Sequence, residues 1–256
     1  METTNQTTLT ANQFGAVAPA YLTSAVHAQG ADLQRLTELM RRAPHLAALD
    51  LGCGAGHAAY ALAQGGAEVT AYDVSPEMLG VVEAEALRRG LDKVRVRQGA
   101  AENLPFQDAS FDFVVTRLSA HHWSNVPAAM NEIARVLKPG GSLIIIDVIA
   151  PEIPLFDTVL QTVEILRDAS HVRDYRISDW RAMCGAAGFQ EPACDTWRIP
   201  MEFTSWIARM RTSPLRADAI RDVFAQSPHE VREYFKVRPN GDFEIDVAWV
   251  QAMLRV

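Results

Sequence analysis

Two carboxylates and a run of glycines carry the first chemical signal. In Leu49-Asp50-Leu51-Gly52-Cys53-Gly54-Ala55-Gly56, an acid precedes three glycines on alternate positions. Glycine there lets a backbone turn sharply and come close to a ligand. A helix opening at Gly56 offers free N–H groups and positive potential to an anionic group. Asp73 follows at the end of the next β-branched run, where a carboxylate can accept both hydroxyls of a ribose. A second signal is Leu118-Ser119-Ala120-His121-His122-Trp123. Imidazole titrates near neutrality, so His121 or His122 is a candidate proton acceptor. Adjacent histidines point in different directions and no third ligand has a suggestive spacing, so no metal site is expected.

These residues need elements to hold them. From 46 to 149 the chain alternates short apolar runs with helical stretches. The runs 46–51, 67–73, 93–99, 111–116 and 142–149 read as strands, and the central ones are apolar on both faces, as in a parallel sheet covered by helices. Ser75-Pro76-Glu77 reads as an N-cap, a first-turn proline and an acid at the positive end of the dipole; Gly90 suits the left-handed cap at the far end. Val126, Met130, Ile133 and Leu137 form one stripe, with Lys138 expected at the helix end and Pro139-Gly140-Gly141 expected to stop the helix. Repeated β-α units imply an α/β, Rossmann-like, doubly wound sheet, mostly parallel and seven-stranded.

The boundaries expected are a helical lead-in at 1–44, a binding core at 45–150, and a C-terminal half at 151–256. That half carries a helical cap or insertion at about 203–235, all in a single domain. The Thr/Asn/Gln-rich first dozen residues are expected to fray. Trp123, Trp206, Arg209 and His27 are candidate contacts over the site, with core packing the plainer role for Trp123.

Composition narrows the partners. The chain of 256 residues has a formal net charge of −7 and 48% hydrophobic residues. It lacks the broad positive field that attracts phosphate backbones, so no nucleic-acid partner is expected. Arg209, Arg211 and Arg216 are read as a solvated helix face. No apolar run is long enough to span a bilayer, so no membrane partner is expected. Cys53, Cys184 and Cys194 form no C-x-x-C and leave an odd thiol over, which fits a cytoplasmic protein.

The glycines and Asp73 suit a dinucleotide as well as a smaller nucleoside; Gly54 to Ala59 even fits G-x-G-x-x-G/A. Asp50 favours the latter, because it would repel a pyrophosphate and attract an ammonium. LDLGCGAG, AYDVSPEML, AENLPF, FDFVVTRLSAHHW and LKPGG, in that order, resemble the class I S-adenosylmethionine-dependent methyltransferases. The nearest type is the small-molecule branch with the ubiquinone/menaquinone C-methyltransferases, over roughly 45–150.

That resemblance implies S-adenosyl-L-methionine as methyl donor, S-adenosyl-L-homocysteine as product and a small-molecule acceptor with a carbon, oxygen or nitrogen nucleophile. It implies that Asp50, Gly52 and Gly54 border the methionine portion, that Gly56 at the helix opening belongs to the same cofactor site, and that Asp73 holds the ribose. Val74 and Met78 would pack on the adenine, with backbone at Ala101 and Glu102 along its edge. Arg117 would close the pocket by its main chain, and Tyr21 would act as a lid. Ala100 stands where the family often has Asp, so the adenine amino group needs another partner, such as Glu102. Thr116-Arg117-Leu118-Ser119 differs from the Asn/Asp-Pro-Pro-Tyr/Phe of nucleic-acid amino-methyltransferases. An NAD-dependent oxidoreductase and a non-catalytic S-adenosylmethionine-binding protein are the alternatives.

Overall fold

The computed structural model describes residues 5–15, 17–23 and 30–256. His27 lies outside the described residues. Seven strands form one sheet: β1 (Ala47–Leu51), β2 (Glu68–Asp73), β3 (Val94–Gln98), β4 (Phe111–Arg117), β5 (Leu137–Val148), β6 (Ala193–Met201) and β7 (Phe243–Met253). Their spatial order is β3-β2-β1-β4-β5-β7-β6. Pairings among the first five are parallel, and β7 runs antiparallel to both of its neighbours. Winding proceeds outward from β1 in one direction and then reverses at β4. The carboxyl ends of β1 and β4 therefore flank the point where ligands bind in such sheets.

Alternation along the strands divides the core. Ile144 and Ile146 face one layer while Leu143 and Ile145 face the other; Val247 and Trp249 alternate likewise with Ala248 and Val250. Helices α3 (Ala31–Arg42), α4 (His57–Gln64), α5 (Pro76–Arg88) and α7 (Pro154–Arg167) cover the first face. Helices α6 (Val126–Val136) and α8 (Ile177–Ala186) cover the second. Helices α9 (Phe203–Arg209), α10 (Pro214–Gln226) and α11 (His229–Tyr234) lie in the chain between β6 and β7. Phe203, Trp206, Ile220 and Phe224 join the first layer.

Local chemistry sets the element ends. Ser75 accepts the Met78 N–H at 3.2 Å, Pro76 opens α5, and Gly90 takes φ +67° just past its end. The expectation for Leu137-Lys138 needs correction. Helix α6 stops at Val136, and β5 already begins at Leu137. Pro139 disfavours helical backbone at Lys138, so the chain goes straight into an extended run with a register shift opposite Phe111/Phe113. Lys138 pairs with Asp112 at 2.9 Å instead of serving a helix end.

The N-terminal expectation is also corrected. Gln6–Gly15 forms helix α1, followed by α2 (Ala18–Thr23). Gln6 Nε2 donates to the carbonyls of Ser170 at 2.6 Å and His122 at 3.2 Å. Those distant carbonyls anchor a polar segment with little propensity signal of its own. Among the described residues no helix is long and apolar enough to cross a membrane.

Candidate active site

A cleft of about 1000 Å³ opens over the carboxyl ends of β1 to β4. Its wall contains Tyr21, Asp50, Gly52, Gly54, Asp73, Val74, Met78, Ala101, Glu102, Arg117 and His122. The structure thus brings most of the residues singled out from sequence to one cleft, Trp123 among them; Gly56, His121, Trp206 and Arg209 stand outside its wall.

Asp50 is 1% exposed and stands one residue before the end of β1. Its Oδ2 accepts the Ala59 N–H at 2.8 Å, while Oδ1 is buried without a hydrogen-bond partner. Burial, with the charge of Asp73 adding to it, lifts its pKa to about 7 against the pull of the Ala59 N–H. Asp73 has both oxygens engaged, accepting Gly54 N–H and Ser75 N–H at 2.9 Å each. Those bonds fix the glycine loop against the end of β2, though burial still pushes the Asp73 carboxyl upward. Each oxygen keeps a second lone pair for a ligand hydroxyl.

The glycines do different work. Gly52 has φ +71°, and a Cβ there would run into the Ser119 side chain. Gly54 has φ +49° and open space where its Cβ would stand, so it is the cradle's clear wall. Gly56, at φ +86°, faces inward: a Cβ would sit 2.8 Å from the Tyr60 ring and 2.9 Å from Val82. It serves packing of the α4 entry and does not line the cleft.

Arg117 ends β4 and pairs with Asp32 of α3 at 2.5 Å, both side chains nearly buried. The pair ties α3 to the lip of the cleft. Glu102 turns Oε1 to the Ser124 hydroxyl (2.8 Å) and the Asn125 N–H (3.1 Å), so that oxygen braces the loop before α6. Trp123 is buried, in the core layer beneath α6, and donates its indole N–H to Ser119 at 3.3 Å.

Sequence reasoning missed the roof. Gln6, Thr7, Thr10 and Phe14 of α1 line the cleft. Phe14 stands edge-on to Tyr21 at 5.6 Å and to His122 at 4.8 Å. The Tyr21 hydroxyl lies 3.1 Å from Met210 Sδ, and Gln13 donates to the Met210 carbonyl, also at 3.1 Å. An aromatic seven residues before Tyr21 (in Phe14-Gly15-Ala16) was the one local clue.

The two histidines diverge. His122 is 8% exposed; its Nδ1 lies 3.0 Å from the Ser170 carbonyl, an arrangement that needs the proton on Nδ1 and leaves Nε2 as acceptor. Burial pushes its pKa down, and the neighbouring His121 adds to that. His121 Nδ1 meets Asp147 Oδ1 at 2.7 Å. Burial lowers its pKa, but the charge and hydrogen bond of Asp147 outweigh burial and carry it to about 9.

Two further cavities adjoin the cleft. A polar one of about 590 Å³ is lined by His121, His122, Glu164, Arg167, Asp168, Asp174 and Arg209, with Trp206 in its wall. An apolar one of about 1290 Å³ is lined by Trp197, Ile199, Val247 and Trp249. Leu118 lines all three spaces and holds φ +51°, a left-handed conformation unusual for leucine.

Comparison with known proteins fits this geometry. Residues 49–145 match the model of the methyltransferase domain. The uncharacterized protein YafE of Escherichia coli K12 is 45% identical over 201 residues, spanning 78% of this chain and 97% of YafE. The uncharacterized methyltransferase YcgJ of Bacillus subtilis is 37% identical over 93% of this chain and 92% of its own.

The chain belongs to the methyltransferase family.

The crystal structure of YcgJ superposes on this methyltransferase with a TM-score of 0.81, 34% identity and coverage of 87% of this chain and 99% of that one. At the level of fold alone, a phosphoethanolamine N-methyltransferase of Haemonchus contortus, solved with phosphomonomethylethanolamine and S-adenosylhomocysteine, gives a TM-score of 0.64. It has 17% identity and coverage of 100% of this chain and 59% of its own.

Proposed function

We propose that the protein transfers the methyl group of S-adenosylmethionine to a small polar acceptor. One observation supports this reading above others: Asp50 and Asp73 stand at neighbouring strand ends in one cleft, with the clear wall of Gly54 between them. The residues present suit the donor. The unpartnered Asp50 Oδ1 is an acceptor awaiting a cationic group, which a methionine ammonium supplies and a pyrophosphate does not. Asp73 has lone pairs for ribose hydroxyls, and Val74, Met78 and Ala101 offer an apolar seat for adenine. The bound sulfonium supplies an activated methyl group.

The chain's own residues then align and deprotonate. Confining the acceptor beside the cleft contributes through orientation, an effect worth roughly 7–11 kcal/mol in well-aligned systems. His122 lines both the cleft and the polar cavity. Its imidazole stays neutral in the working pH range, so Nε2 can take a proton from an acceptor that must lose one. His121, held as imidazolium by Asp147, is a fixed positive charge in the cavity wall and not a base. Three free thiols suit the reducing cytoplasm, and the size of the polar cavity suits a metabolite over a nucleic acid.

The test is calorimetry with S-adenosylhomocysteine and NADH, followed by single-turnover transfer from methyl-labelled donor to an extract of small metabolites. The His122→Ala variant is expected to bind S-adenosylhomocysteine and to turn over roughly 10²-fold more slowly. Binding of NADH in place of the nucleoside would discard the reading, and an unchanged rate in that variant would remove His122 as base.

A further inference from the structure

Most charged groups around the polar cavity are committed. Arg167 donates from Nε to the Trp206 carbonyl at 3.1 Å and pairs with Glu164 at 3.3 Å, its guanidinium lying 4.9 Å above the Trp206 ring. Asp168 accepts the Ser170 N–H at 2.8 Å and the Ser170 hydroxyl at 2.7 Å. His121 is taken by Asp147.

Arg209 is different. It sits at the last turn of α9, half-buried, with a single long contact from Nη1 to the Ser205 hydroxyl at 3.4 Å. Its Nε is buried with no hydrogen-bond partner, and among the described residues no carboxylate lies within ion-pairing distance. Burial, with Arg167 nearby, lowers its pKa, against the weaker upward pull of Tyr21, Glu164 and Glu202. A guanidinium buried this way is costly unless something anionic completes it. Asp174 stands in the same wall: it is 1% exposed, and its Oδ2, 3.9 Å from His171 Nε2, has no hydrogen-bond partner. Burial pushes the Asp174 carboxyl well up.

We infer that the polar cavity seats the methyl acceptor and that Arg209 anchors a carboxylate on it. A guanidinium matches a carboxylate in a two-point fork. A phosphate dianion would meet Glu164 and Asp168 in the same small space, so a monoanion is favoured. The acceptor class is thus a compact carboxylic acid whose nucleophile reaches toward His122. This inference rests on the proposed methyl transfer only for the name of the ligand; the anion site stands on the cavity itself.

The test is titration calorimetry of the full chain at fixed ionic strength, free and with S-adenosylhomocysteine. The probes are acetate, propionate, their amides and inorganic phosphate. Carboxylates are expected to bind roughly tenfold more tightly than the amides and than phosphate. Arg209→Gln is expected to erase that preference while S-adenosylhomocysteine affinity stays within about twofold; Arg209→Lys retains part of it. Circular dichroism checks that both variants fold. Equal binding of amides and carboxylates, tighter binding of phosphate, or an unaltered preference in Arg209→Gln would overturn the assignment. A chain that takes carboxylates but not S-adenosylhomocysteine would fail the donor reading and leave the anion site standing.

Discussion

The rings of His121 and His122 stand 4.2 Å apart, yet their surroundings shift the two imidazoles in opposite directions, His121 up and His122 down. Asp147 raises the first; burial and the charge of His121 lower the second, against the upward pull of Asp168 and of the Ser170 carbonyl. Neighbours in sequence thus place two imidazoles with opposite shifts in the wall of a single cavity.

That division is testable through stability. The folded-state pKa of His121 is about 9, above the roughly 6.5 of an unfolded histidine. Its contribution is therefore fully present below about pH 6.5 and is lost as pH rises through about 9. Urea midpoints of the wild type are expected to decline across that window more steeply than those of Asp147→Asn, in which the raised pKa collapses. Parallel profiles would show that Asp147 does not hold the charge.

The three glycines make a second, graded test. Gly54→Ala carries mainly the left-handed backbone cost, about 1–2 kcal/mol, and places a methyl in the cleft, so ligand affinity falls more than stability. Gly56→Ala adds collisions with Tyr60 and Val82 to the same cost, so it loses more stability while the folded fraction binds nearly as wild type. Thermal melts and calorimetry on both variants decide this; an equal loss of affinity would place Gly56 at the ligand after all.

Arg117–Asp32 provides a third. Removing one partner of a pair this buried typically costs about 3–5 kcal/mol. Asp32→Asn is expected to lower the urea-unfolding free energy by that order and to loosen α3 from the cleft lip, detectable as faster amide exchange over Ala31–Arg42. A loss below about 1 kcal/mol would mean that solvent already screens the pair.

What the sequence made readable follows from how local each cause is. The strands announce themselves because runs such as Leu143–Ile146 are apolar on both faces, and the cap at Ser75 lies within one turn of the N–H that donates to it. The cleft's floor was legible because Asp50, Gly52, Gly54 and Asp73 sit at strand ends, where topology fixes their neighbours. The roof was not, since Gln6 owes its place to carbonyls more than a hundred residues away. The same distance hid the roles of the histidines, whose partners Asp147 and Ser170 come from other elements. Gly56 was legible as a glycine, but only packing against Val82 reveals which side needed the space.

Asp50 offers the sharpest check on the donor. With a pKa of about 7 it is partly protonated near neutrality in the free protein, and an ammonium placed beside Oδ1 would favour the carboxylate. Calorimetric titration with S-adenosylhomocysteine at pH 7 in two buffers of different ionisation enthalpy should show one site per chain and net release of a fraction of a proton, abolished in Asp50→Asn. No binding, or binding with proton uptake that Asp50→Asn leaves unchanged, would show that the two strand-end carboxylates do not hold this nucleoside.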